Sequence, residues 1–168
     1  MINLNSVTPP PTYVSWDSVG TSSQLLADKI FNSGVRPDII VAILRGGAII
    51  GVLLSHSLKI PNLLTIPIRT TSRDGPNPPR IPPEVGVTGN LSALRGKTVL
   101  IVDDAVTTGK TFATARQLLH SASPGRILTA AAFWDKQASS ACPADFHGDV
   151  TPGWVMFPWE IGAHDQLN

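Results

Sequence analysis

Three short apolar runs, each unbroken, most constrain what this chain can become: Ile39–Leu44 (IIVAIL), residues 98–102 (TVLIV) and residues 127–134 (ILTAAAFW). A run of this length, apolar throughout and rich in β-branched residues, suits a strand covered on both faces, because a half-solvated strand would alternate. Between the runs lie stretches with helical period. Ser15 or Asp17 can cap a helix with Val19, Leu25, Leu26 and Ile30 on one face, and Gly34 is placed to stop it. Residues 48–58 form a second helix-like stretch, and residues 63–68 a further candidate strand. Phe112, Ala115, Leu118 and Leu119 recur at helical spacing until Pro124 and Gly125. This alternation predicts an α/β fold with a central, mostly parallel sheet flanked by helices. At 168 residues the chain fits a single domain (1–168) around one core, with no repeat visible.

Two stretches depart from the pattern. Residues 1–12, through Pro9, Pro10 and Pro11, have little to pack and read as a surface arm. Residues 69–91 carry Pro76, Pro78, Pro79, Pro82 and Pro83 with Gly75, Gly86 and Gly89, which forbids regular helix and disfavours a central strand. A flexible loop of that length is often a lid.

Charge and cysteine usage narrow the function class. Charged residues make up 15% of the chain, and 13 Lys and Arg against 12 Asp and Glu leave a net charge of +1, so no broad basic field exists for a nucleic-acid partner. Any anion must be gripped locally. The single Cys142 closes no intramolecular disulfide, and the sequence shows neither a signal-peptide pattern nor an apolar run long enough for a membrane span; a soluble cytoplasmic protein is the expectation. His56, His120, His147 and His164 have no metal-ligand spacing with one another or with Cys142.

Ligands of an open parallel sheet collect at the carboxyl ends of its strands. There, TVLIV ends in Asp103-Asp104, followed by a short loop containing Thr107, Thr108, Gly109, Lys110 and Thr111 and then by a helix. Such a loop can offer several backbone N–H groups and hydroxyls to one phosphate, with the helix dipole favouring its charge. Two carboxylates just upstream repel a second phosphate but accept hydrogen bonds from a sugar diol. The pairing selects a ribose 5-phosphate. Competing motifs fail on identity: a Walker loop would need glycine where Asp104 stands, and a dinucleotide fingerprint from Gly46 would need one at Ala48.

Residues 99–111 (VLIVDDAVTTGKT) resemble the 5-phosphoribosyl 1-diphosphate (PRPP) signature of type I phosphoribosyltransferases. Leu44-Arg45-Gly46-Gly47 is similar to that family's pyrophosphate loop, and Trp154-Val155-Met156-Phe157-Pro158-Trp159-Glu160 to the C-terminal segment of the bacterial and archaeal 6-oxopurine enzymes, the xanthine-guanine branch above all. The resemblance implies the type I fold with a small base-binding hood (135–168) and a flexible lid (69–91), and an enzyme of purine salvage. In it, Asp103 and Asp104 hold the ribose at the reacting centre and residues 107–111 take the 5-phosphate. Arg45, Gly46 and Gly47, with a non-proline cis peptide at or beside Arg45, hold the pyrophosphate. Lys136, Trp154 and Val155 bind the base, Lys136 at its 6-oxo group, Trp154 by stacking and Val155 through its main chain. Mg²⁺ arrives on the diphosphate and meets Asp104 through water. Arg69, Arg73 and Arg80 are candidate diphosphate contacts from the lid, Trp159 packs structurally, and a homodimer or homotetramer is implied.

One position departs from the family pattern. The 6-oxopurine enzymes carry an aspartate where Thr107 stands, and that aspartate takes or holds the proton on the purine N7. With Thr107, the proton leaves through water or another carboxylate, or the accepted base is a specialised heterocycle that needs no partner there. A nucleotide-sensing regulator on the same fold is the alternative from a different class. Pyrophosphate release separates it from an enzyme.

Overall fold

The computed structural model describes residues 10–73, 75, 78–139 and 142–161. Its first helix, α1 (Trp16–Asn32), is capped by Ser15, whose side chain accepts from the Ser18 N–H at 3.1 Å. Val19, Leu26, Ala27 and Ile30 are buried along it, as are Ser22 and Ser23. Leu25, expected on the same face, is 37% exposed: the buried stripe takes in two small serines where the helix crosses the sheet. Gly34 follows with φ of +77°, a left-handed turn that glycine adopts without a Cβ penalty.

Thereafter strands and helices alternate: β2 (Ile39–Leu44), α2 (Gly46–Ser57), β3 (Leu63–Thr71), β4 (Arg80–Val85), a single 3₁₀ turn (Leu91–Leu94), β5 (Thr98–Val106), α3 (Lys110–His120), β6 (Arg126–Asp135) and β7 (Phe146–Thr151). They form one sheet in the order β4-β3-β2-β5-β6-β7, parallel except for β4. The apolar runs are unbroken because both faces are covered. Ile40, Leu100, Val102 and Leu128 pack with α1 and α2, whereas Val41, Ile43, Val99 and Ile101 pack with Phe112, Ala115 and Leu119 of α3. Burial on this scale, at about 25 cal/mol per Å² of apolar surface, is the main force holding the layers together.

Three expectations need correction. The stretch 69–91 contains a strand: β4 pairs antiparallel with β3, Ile68 opposite Val85 and Thr71 opposite Arg80. Pro82 and Pro83 are tolerated because β4 is an edge strand, with one side owing no ladder bonds. The described end of the arm does not simply lie on the surface, since β1 (Thr12–Tyr13) pairs parallel with β8 (Val155–Met156), and Thr12 N–H donates to the Trp154 carbonyl at 2.7 Å. Gly46 and Gly47 belong to the first turn of α2 instead of a turn ahead of it. Residues 1–9 of the arm, 74, 76 and 77 of the lid stretch, and the hood positions 140, 141 and 162–168, His164 among them, lie outside the described residues.

Candidate phosphoribosyl site

The chain runs β2 to β3 in one direction across the sheet, then resumes beside β2 with β5 and continues to β6 and β7 in the other. The loops after β2 and β5 therefore leave toward opposite faces, and the crevice between them is where open parallel sheets bind ligands. A cavity of about 1080 Å³ opens there, lined by Arg45, Gly46, Asp103, Asp104, Thr107, Gly109 and Thr111, with Asp135, Trp154 and Val155 on its far side.

On the β2 side the Leu44–Arg45 peptide is cis, at the position expected. The two glycines after it leave no space. A Cβ at Gly47 would stand 2.7 Å from the Val102 carbonyl oxygen, and one at Gly46 would collide with the Asp104 carboxylate. Glycine is needed here for close approach of α2 to β5, which places the start of that helix against the acidic pair.

Asp103 and Asp104 follow the fully buried run of residues 99–102 in β5 and are themselves half-buried. Asp103 Oδ1 accepts from the Asp104 N–H at 3.0 Å, and Asp104 Oδ1 from the Ala105 N–H at 2.7 Å. Burial, reinforced by the Asp104 charge, holds the Asp103 carboxyl well above the usual range. Burial pushes Asp104 up to about 6, against the pull of the Ala105 N–H and with a further push from the Glu160 charge. Desolvated carboxylates of this kind gain from hydroxyl donors, which a sugar diol supplies.

Beyond them Gly109, with φ of +77°, stands at the N-cap of α3 and packs so that a Cβ would meet the Pro143 ring at 2.6 Å. Thr107, Gly109 and Thr111 face the cavity; Thr108 and Lys110 are exposed and do not line it. The head of α3 supplies N–H groups without intrahelical partners, a ready anion site.

The far side of the cavity combines remote segments. Trp154 precedes β8, and its Nε1 is buried without a hydrogen-bond partner among the described residues. The Arg80 guanidinium lies over the indole, 4.9 Å from the ring centroid, and donates to Thr107 Oγ1 at 3.2 Å. Burial lowers the Arg80 pKa, and the Asp135 charge partly offsets that. Lys136 is exposed and outside the cavity lining, its N–H donating to the Thr151 carbonyl at 3.1 Å. Trp159 stacks on Phe157 at 4.5 Å and lies 5.6 Å from Trp16. Arg69 pairs with Glu84 at 2.7 Å, and Arg73 lines the rim. Two cavity carboxylates, Glu84 and Asp135, carried no weight in the sequence, and Glu160 entered only as the end of the C-terminal segment. Asp135 bore the same signal as Asp103, an acid closing a buried apolar run.

Among the described residues no helix is long and apolar enough to cross a membrane. The family model of the phosphoribosyl transferase domain matches residues 15–166. The xanthine-guanine phosphoribosyltransferase of Cereibacter sphaeroides is 28% identical over 157 residues, covering 89% of this chain and 86% of that protein. The purine phosphoribosyltransferase of Pyrococcus horikoshii superposes with a TM-score of 0.72 at 28% identity, covering 90% of this chain and 95% of that one. A Neisseria gonorrhoeae protein solved with bound ppGpp shares the fold at a TM-score of 0.73 and 24% identity, each chain covered to 94%. With a family match across most of its length and the type I sheet order around an acidic β5 end, this chain belongs to the phosphoribosyltransferases, the pentosyl-transferring enzymes, and is similar to their purine members.

Proposed function

We propose that this protein transfers ribose 5-phosphate from PRPP to a ring nitrogen of a 6-oxopurine such as guanine, xanthine or hypoxanthine, releasing pyrophosphate. The observation that carries this reading is the convergence of Asp103, Asp104, Thr107, Gly109 and Thr111 on one cavity with the Arg45-Gly46 start of α2 and the Trp154 ring. A sugar phosphate fits the first group, an anion the second and a flat heterocycle the third.

Each residue has a physical task. The 5-phosphate sits at the head of α3, among the N–H groups of residues 108–111 and the hydroxyls of Thr107 and Thr111. The ribose hydroxyls donate to Asp103 and Asp104. As pyrophosphate departs its charge grows, so Arg45 and the N–H groups of Gly46 and Gly47 hold the transition state more strongly than the ground state. Positive charge develops at the anomeric carbon, where the acidic pair favours it. Trp154 stacks the base while the Val155 main chain reads its edge.

Among the described residues no three His, Cys, Asp or Glu side chains form a metal cage, but Asp103 and Asp104 are hard oxygen donors side by side. This fits Mg²⁺ carried on the diphosphate and met by Asp104 through water. The ion would neutralise the leaving diphosphate. Residues 69–91, which include β4, act as the lid and residues 135–168 as the hood of a single domain. A cytoplasmic homodimer or homotetramer completes the reading.

A second reading is favoured by Thr107, which has no titratable group where a proton acceptor stands in the 6-oxopurine enzymes. There the base is a specialised heterocycle. A panel of bases incubated with PRPP and Mg²⁺, following pyrophosphate release, tests both: release with guanine, xanthine or hypoxanthine supports the first, and release only with other heterocycles the second. Tight PRPP binding without release from any base refutes transferase activity.

A further inference from the structure

Joining a heterocyclic nitrogen to a sugar carbon liberates a proton, so the base end of the cavity needs an acceptor. Resting on the phosphoribosyl-transfer reading above, we propose that Asp135, at the end of β6, is the catalytic group that takes this proton.

Five carboxylates line the cavity: Glu84, Asp103, Asp104, Asp135 and Glu160. Glu84 is paired with Arg69 on an exposed edge. Asp103 and Asp104 lie against the start of α2, at the sugar and diphosphate end. Glu160 Oε2 accepts from the Phe157 N–H at 2.9 Å and closes the turn after β8. Asp135 stands elsewhere. Val106 of β5 is in register with Trp134 of β6, so continuing both strands sets Thr107 beside Asp135. The Asp135 charge reaches Arg80, which bonds Thr107 and covers the Trp154 ring. A carboxylate absent at position 107 is thus supplied one strand across the sheet.

Its setting suits the task. Asp135 is 7% exposed, and its Oδ1 accepts from the N–H groups of Gln137 at 3.0 Å and Ala138 at 3.4 Å, which fixes the plane of the group. Oδ2 takes no part in that turn. The charged groups that share the cavity with it are Arg80 of β4, Asp103 and Asp104 of β5, Arg45 at the head of α2 and Glu160 beyond β8; Lys136 follows it in the chain outside the lining, and β7 sets Thr151 in register with it while Asp149 stays outside the cavity lining. In the step, one imidazole nitrogen of the base forms its bond to the anomeric carbon. The bond from that carbon to pyrophosphate breaks and its electron pair leaves with pyrophosphate. The proton on the other imidazole nitrogen passes to Asp135 Oδ2, and water reclaims it on product release.

Asp135→Asn keeps the Oδ1 acceptor and hence the turn. With whichever base the wild type uses, and with PRPP saturating at every pH so that Asp104 stays ionised, kcat/KM for that base falls about 10²- to 10⁴-fold in the variant and the acidic limb of its pH profile disappears. PRPP affinity, measured by calorimetry, stays within about twofold, since the sugar end is untouched. Adding Thr107→Asp restores a carboxylate on the neighbouring strand and recovers about tenfold or more. An unchanged profile in Asp135→Asn, loss of PRPP binding along with activity, or a double variant no better than the single one overturns the assignment. Wild-type protein that releases no pyrophosphate with any base overturns the transferase reading itself, before any variant is made.

Discussion

At the ends of β2 and β5 an added methyl group has nowhere to go: at Gly47 it meets main chain, and at Gly46 the Asp104 carboxylate. Across the cavity, Val85 at the end of β4 is 43% exposed and Val87 just beyond it 96% exposed, and Arg80 reaches the base platform through side-chain contacts alone. The sugar-phosphate half is therefore built into the core of the sheet, where packing fixes geometry before any ligand arrives. The base half is assembled from an edge strand and a C-terminal segment, joined by contacts that a ligand can replace. Rigidity sits where the substrate is invariant, and replaceable contacts sit where specificity is set.

Variants in the two halves separate these roles. Gly46→Ala pushes the Asp104 carboxylate out of place, and PRPP affinity by calorimetry falls about 100-fold or more, the loss of two or more charge-assisted hydrogen bonds. Its melting temperature changes little, because the colliding atoms end a side chain. Trp154→Ala removes a stacking face worth about 1–3 kcal/mol, raising KM for the base roughly 10- to 100-fold at unchanged PRPP affinity. If Trp154→Ala weakened PRPP as much as the base, the division would fail. Glu84→Gln breaks an ion pair whose side chains are 60% exposed, so chemical denaturation detects less than about 1 kcal/mol.

What the sequence made legible follows the same division. IIVAIL and TVLIV announce central strands because burial on both faces demands apolar residues at every position. The acidic pair and the 107–111 loop are contiguous, so one segment carries half of the site. β7, reading FHGDVT, is an edge strand with no apolar run to betray it, and β1 and β8 are two residues each, stabilised by one another. The proline content of 69–91 argued against a central strand, correctly, but an edge strand was compatible with it. At the base end, Arg80, Thr107, Asp135 and Trp154 meet across four segments, and no local pattern encodes that meeting. Lys136 drew attention as a family match, yet β6 ends at Asp135, and it is this residue that lines the cavity.

The acidic pair makes the sharpest demand on pH. In the ligand-free protein Asp104 is raised to about 6, so the fold binds the extra proton. That contribution is full below the unfolded carboxylate pKa of about 4 and is lost as pH rises through about 6. Binding has the opposite sign, since sugar hydroxyls donate to the ionised form. PRPP titrated calorimetrically into the wild type and into Asp104→Asn, between about pH 5 and pH 8, reads this directly. Wild-type affinity is expected to rise through about pH 6 more steeply than that of Asp104→Asn, which binds more weakly throughout. Equal affinities and parallel pH dependences in the two proteins would contradict it.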